Sequence, residues 1–205
     1  MTTSGPAPKD TQPRRIDMLR AAAELISERG FAATRVADVA NRAGVSAPLV
    51  IYYFGTRERL LVDALQFSEN SFNEVAERIL ADISKPHDRI SWLIKWGCWP
   101  PSIEEEPGYW GLWFDLWTQA FRHDEVKLGR AQIDARWRGV ITAAVEQPAQ
   151  EAGVDARTFA LEFAALLDGL VVQVALEDPE ITPAVAYDIA MRFAEQRLRL
   201  LDRHG

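Results

Sequence analysis

A chain of 205 residues, 48% apolar and 26% charged, can bury a sizeable core and has the composition of an ordinary globular protein. Its single cysteine, Cys98, excludes a disulfide framework and fits a reducing cytoplasm; no apolar run suggests a membrane span and no hydrophobic leader opens the chain. The net charge of −7 speaks against binding a polyanion over the whole surface, yet residues 1–60 hold nine Lys/Arg against six Asp/Glu, while residues 61–205 hold fourteen against twenty-four. The basic character is local, and local phosphate neutralisation is what governs affinity for nucleic acid.

In chain order, residues 1–13 are rich in Pro, Thr, Ser and Gly and read as a disordered tail. Arg14 to Glu28 is expected to be a helix with Ile16, Leu19, Ala22, Ala23 and Ile26 on one face, stopped by Gly30. A short helix follows from Val36 to Ala43, ended by Gly44, where a left-handed residue costs little. Ser46 is placed to cap the next helix, with Pro48 in its first turn, and Thr56 to cap a third. Two short helices around a tight turn make a helix-turn-helix, whose second helix can enter the major groove of DNA; the plain alternative is a helical hairpin with Tyr52, Tyr53 and Phe54 as core.

The residues Gly30-Phe31, Thr34, Asp38-Val39-Ala40, Ala43-Gly44-Val45-Ser46, Tyr52-Tyr53-Phe54, Arg57-Glu58 and Leu60 resemble the TetR family of bacterial transcription regulators over about residues 14–65. The resemblance implies a homodimeric repressor, released from a palindromic operator by a small molecule. It further implies an all-α fold: a three-helix head over 14–60 and an effector-binding and dimerisation body over 61–205. Three positions depart from the family pattern. Arg35 replaces a usual Thr or Ser, leaving the cap of the second helix to Thr34 or to nothing. Ile51 replaces a common phosphate-binding Tyr, which shifts that role to Tyr52 or Tyr53, and Gly55 replaces a usual Lys. The candidate DNA-binding residues are Thr34, Arg35, Ser46, Ala47, Pro48, Leu49, Tyr52, Tyr53, Thr56 and Arg57. Ala47 and Leu49 offer only apolar contact, so Arg35 is the candidate base reader and Arg57 a phosphate contact.

A long helix is expected from Arg57 to about Ile83, another from Pro86 to Trp99-Pro100-Pro101, and further helices near 109–121, 124–147, 155–177 and 183–202. All seven Trp fall between residues 92 and 137. Trp92, Trp96 and Trp99 share one helix face, and Trp110, Trp113, Phe114 and Trp117 another. They are either core or the walls of a cavity, and indole faces suit hydrophobic or cationic ligands. The candidate effector-binding residues are Trp92, Trp96, Trp110, Trp113, Phe114, Trp117, Phe163, Leu167 and Asp168, with Asp115 and Asp168 as acidic complements to a cation. The stretch Trp110 to Val126 is similar to the aromatic helix of the betaine-pathway repressor branch of the same family. Phe159, Phe163, Leu166, Leu170 and Val174 on one helix, and Val185, Ile189 and Phe193 on the next, are the candidate dimer interface, a four-helix seam. No catalytic constellation, cofactor fingerprint or metal-ligand spacing appears, so neither cofactor nor metal is expected. The alternatives are a DNA-binding regulator with no effector, and a helical carrier or enzyme with an incidental hairpin.

Overall fold

The 3.6-residue apolar rhythm is realised as helix. The computed structural model describes residues 11–98 and 109–200, and among these the chain forms nine α-helices and no strand, an all-α architecture. They are α1 (Thr11–Arg29), α2 (Val36–Arg42), α3 (Ala47–Phe54), α4 (Arg57–Asp82), α5 (Pro86–Cys98), α6 (Tyr109–Ala120), α7 (Asp124–Ala152), α8 (Ala156–Ala175) and α9 (Pro183–Leu198). The expected tail is shorter than 1–13, because Thr11–Pro13 already belong to α1; its residues 1–10 lie outside the described residues, as do Trp99 and the loop at 104–108.

Packing divides the chain into two compact units. The first gathers the residues up to Glu69 with Gly111–Arg130; the second gathers Asn70–Trp110 with Ala131 onward. The head therefore does not stand alone over 14–60: α6 and the start of α7 pack with it. One cause is visible at Gly129 of α7, where any Cβ would collide with the Val62 side chain of α4, so only glycine allows that approach.

Within the first unit Met18, Leu25, Ile26, Phe31, Val39, Val50 and Leu60 are buried and hold α1–α4 together. The turn between α2 and α3 closes as the sequence requires. Gly44 has φ +66°, its N–H donates to Asn41 O (3.3 Å), and Val45 N–H donates to Ala40 O (2.9 Å), which satisfies carbonyls that the end of α2 would leave orphaned.

In the second unit one cluster joins Leu80, Leu93, Ile94, Ile141, Val145, Phe159, Phe163, Leu167, Ala190 and Leu198. α7 continues through Pro148, beyond its expected end at 147; Val145, Pro148, Ala149 and Ala152 are all buried, and this packing outweighs the hydrogen bond that proline forfeits. α8 is long and apolar enough by composition to cross a membrane, with a mean hydropathy of 1.6, but Phe159, Ala160, Phe163 and Leu167 face the cluster.

That packing corrects the interface reading. Phe159 and Phe163 are fully buried in a single chain, stacked at 5.2 Å and closed by Phe193 at 5.8 and 6.1 Å, and Leu170 is buried as well. A side chain already buried in one chain has no surface left for a partner. Of the stripe, Phe159, Phe163 and Leu170 belong to the core, while Leu166 and Val174 are only partly buried.

Two measurements follow. Phe163→Ala is expected to cost about 3–5 kcal/mol, read as a lowered denaturant midpoint, because the stacked rings cannot close over the void. Burial, with a contribution from the Asp168 charge, pushes the Cys98 thiol up from 9.0 to about 12. Between those values the unfolded chain releases a proton that the folded chain keeps. Stability is therefore unaffected by this thiol below pH 9 and falls above it, by roughly 1.4 kcal/mol per pH unit. Denaturation at pH 8 and pH 10 should show a steeper loss for the wild type than for Cys98→Ala.

Candidate nucleic-acid interface and its support

α3 is preceded by Ser46, whose backbone is extended and whose carbonyl accepts from Leu49 N–H (3.0 Å) and Val50 N–H (3.2 Å). The hydroxyl makes no capping bond; Pro48 at the second position has no N–H to give, and the Leu49 N–H at the third goes to the Ser46 carbonyl. Val50 and Phe54 turn inward; Ser46, Pro48, Ile51 and Tyr52 are exposed, Tyr52 to 80%, while Ala47, Leu49 and Tyr53 are half-buried. Tyr52 and Tyr53 meet edge to face at 5.7 Å. The helix carries no charged side chain, so what it presents outward is apolar surface and two phenols. Thr56 caps α4 as expected: its Oγ1 accepts from Arg59 N–H at 3.0 Å.

Most of the head's cations are spoken for. Arg42 bonds Glu28 (2.9 Å) and Glu24 (3.2 Å), which holds the Glu28 carboxyl below its usual range. Arg29 pairs with Asp38, Arg15 and Arg59 with Asp63, and Arg20 with Asp17. Arg35 is exposed and, among the described residues, forms no ion pair. Its backbone, not that of Thr34, is the cap position of α2, and the Asp38 carboxylate accepts its N–H at 3.3 Å. A guanidinium has no acceptor, so the side chain is not consumed by that cap.

The segment 30–34 between α1 and α2 corrects two expected DNA contacts. Thr34 is fully buried, and its Oγ1 donates to Gly30 O at 2.8 Å, so it offers nothing to a phosphate. Arg57 donates through Nε to Thr34 O (2.8 Å) and through one terminal nitrogen to Phe31 O and Ala32 O, lies over the Phe31 ring at 5.4 Å and pairs with Glu58 at 3.3 Å. Its donors hold the loop instead of facing solvent. From α6, Asp115 Oδ2 accepts the Phe31 N–H. Gly30, at φ +84°, leaves room for that carboxylate: a Cβ there would lie 2.9 Å from the same oxygen. Sequence reading missed Asp115 as a support because its partner lies 84 residues away.

The aromatic residues fall in both units. In the second, Trp96 stacks with Trp92 (4.9 Å) and with Phe72 (4.8 Å), with Trp137 beside Phe72, and its Nε1 is buried with no acceptor among the described residues. These rings pack against the core cluster. Phe163 and Leu167 are buried in the same unit, and Asp168 is exposed. In the first unit Trp113, Phe114 and Trp117 of α6 are half-buried, with Phe114 and Trp117 edge to face at 5.9 Å; the Trp110 side chain lies outside the described residues. Arg130 stands 5.8 Å from the Trp117 ring centre, which corrects the expectation that only acids lie near these faces. Trp117 Nε1 is buried with no acceptor among the described residues.

Comparison with known proteins agrees with this geometry. Residues 18–64 match the family model for bacterial regulatory proteins of the tetR family, and residues 99–199 match that for the C-terminal region of BetI-type transcriptional repressors. The chain belongs to the TetR family. It is a DNA-binding transcriptional repressor of that family. Among curated TetR-family relatives, the HTH-type transcriptional regulator BetI of Rhizobium meliloti is 25% identical over 91% of this chain and 90% of its own, and that of Brucella canis 26% over 84% and 86%. A transcriptional regulator of Saccharomonospora viridis, solved in complex with choline, superposes with a TM-score of 0.72 at 23% identity over 90% of this chain and 97% of its own. A TetR-family regulator of Rhodococcus sp. superposes at 0.70 with 26% identity over 92% and 100%.

The separation of support from contact can be measured. Arg57→Ala should lower the melting temperature and weaken operator binding together, and Arg57→Lys should not restore either, because an ammonium cannot fork to three carbonyls. Tyr52→Ala should leave the melting temperature unchanged while weakening binding about tenfold, the effect of losing one stacking or hydrogen-bonding side chain from a DNA contact. A gel-shift titration paired with a thermal scan separates the two patterns.

Proposed function

We propose that this TetR-family repressor acts in the cytoplasm as a homodimer on a palindromic operator and releases it when a small organic cation, choline or a close relative, meets the indoles of α6. The observation that carries the ligand class is the half-buried aromatic set Trp113, Phe114 and Trp117 of α6: indole faces suit a cation, which would take the place of the Arg130 guanidinium at the Trp117 ring, and the buried Trp117 N–H has no acceptor among the described residues. A quaternary ammonium bearing an oxygen supplies both. The choline held by the Saccharomonospora viridis regulator, and the BetI names of the curated relatives, support the same chemistry.

For DNA, the reading assigns base contact to Ala47, Leu49, Tyr52 and Tyr53 and to the unpaired Arg35, with Ser46 and Thr56 near the backbone. For the dimer, Leu166, Val174, Val185 and Ile189 remain available, joined by the exposed Leu161 and Leu176 of the α8 segment. Two heads then meet half-sites one helical turn, about 34–36 Å, apart or a multiple of it. The release is a population shift, which requires the ligand to bind one arrangement of the heads better than the other.

Choline titrated into the protein should quench tryptophan fluorescence, raise the melting temperature and weaken binding to a duplex selected from random DNA by the protein itself. Sedimentation should give a dimer. A flat titration with intact DNA binding would favour a regulator without an effector; an organic anion that binds where choline does not would reverse the sign of the site.

A further inference from the structure

The Phe31 amide is held by a carboxylate from α6, the same helix that presents Trp113, Phe114 and Trp117. We propose that Asp115 is the positioning residue that ties the pose of the DNA-binding head to the state of α6. The inference rests on the reading that the effector meets the indoles of α6.

The geometry gives Asp115 unusual leverage. It sits two residues after Trp113 and two before Trp117, so any shift of those rings along or about the helix moves its carboxylate. Its oxygen ends on the first residue after α1's closing glycine, in the five-residue segment whose far end, Thr34, leads directly into α2 through Arg35. Within that segment Thr34 Oγ1 donates to Gly30 O at 2.8 Å and Thr34 N–H reaches Phe31 O only at 3.4 Å; its other bonds come from Arg57 on the carbonyl side and, at the Phe31 amide, from Asp115. Arg57 opens α4 and belongs to the head. Asp115 alone, of these two, is carried by the aromatic helix. A charge-assisted bond to a backbone N–H is about twice as strong as a neutral one, and a glycine at position 30 lets the carboxylate come to the backbone without a side chain between them. When α6 moves, the link either drags Phe31 with it or breaks; both outcomes displace the entry to α2 and hence α3, which α2 packs against.

The test has two arms. In the first, no effector is used. The protein is labelled with 5-fluorotryptophan, the signals of Trp113 and Trp117 are assigned by single Trp→Phe variants, and a duplex selected from random DNA is added. In the wild type both signals should shift, since coupling between two sites is reciprocal. In Asp115→Ala the shifts should vanish while the duplex still binds, and Phe31 amide exchange should accelerate. Asp115→Asn keeps an acceptor and should keep a reduced shift. In the second arm, choline should weaken duplex binding of the wild type by about five-fold or more, within the usual range for such coupling, and that of Asp115→Ala by less than two-fold. A merely structural role would lower the melting temperature and leave that ratio intact. Equal fluorine shifts in wild type and Asp115→Ala, or none in the wild type, would overturn the proposal. If the alanine variant does not fold, Asp115→Asn decides alone, and a coupling equal to that of the wild type overturns it. Absence of choline binding by the wild type would overturn the effector reading, while the first arm still decides the role of Asp115.

Discussion

Five residues of backbone between α1 and α2 govern where the recognition helix goes, and two charged side chains from distant parts of the chain hold them. Backbone N–H and C=O groups withdrawn from water must find partners, and a tight interhelical segment cannot supply enough of its own. Here Arg57 takes the carbonyls of Phe31, Ala32 and Thr34, Asp115 takes the amide of Phe31, and the Thr34 hydroxyl takes the carbonyl of Gly30. Each partner is removed from another task by this role: Thr34 and Arg57 from the DNA surface, and Asp115 from the acidic lining of a ligand site. The head is thus built with charges whose value is geometric. Arg57 suits the place because its planar fork can reach several carbonyls at once while its face lies on the Phe31 ring.

Much of this was legible locally and little of it at long range. Gly44 announced the end of α2, Thr56 the cap of α4 and Pro48 the first turn of α3, because each effect acts within four residues. The family resemblance over residues 14–65 likewise rests on a short, dense set of positions. What the sequence could not display is which of two chemically sensible roles a residue takes when the competitor is far along the chain. Phe159 and Phe163 satisfied the pattern of an interface and that of a core equally; Phe193, thirty residues on, decided it by stacking against them. Asp168 sits in an apolar helix, yet it is exposed. Pro148 looked like a helix end, and packing on both sides of it carried α7 through.

The distribution of charge in the head bears on how the repressor can read DNA. The head's surplus of cations is compatible with binding a polyanion, but Arg15, Arg20, Arg29, Arg42 and Arg59 are each paired with a carboxylate. The pairs exposed on both sides add little stability, the two to the buried Asp63 excepted, and all of them lower the number of phosphates the head can neutralise unless DNA displaces the carboxylates. α3 itself contributes no charge. On the proposed reading, grip comes from hydroxyls, phenols and close apolar fit, with the exposed Arg35 at the edge of the interface. Such a surface gains less from counterion release than a lysine-rich one, and more of its selectivity depends on shape and on thymine methyl groups.

A recognition surface that relies on fit is sensitive to where its helix sits. Long-range charge attraction tolerates an ångström of misplacement, because Coulomb energy in water varies slowly with distance; contact between Leu49, Tyr52 and a base edge does not. A repressor with an uncharged reading helix can therefore be released by a small displacement at its root. The root here is the 30–34 segment, anchored to α4 by one side chain and to the aromatic helix by another. On the proposed reading, the poverty of charge on α3 and the carboxylate from α6 at Phe31 are physically complementary: the first makes the grip depend on position, and the second ties that position to the helix that carries the indoles.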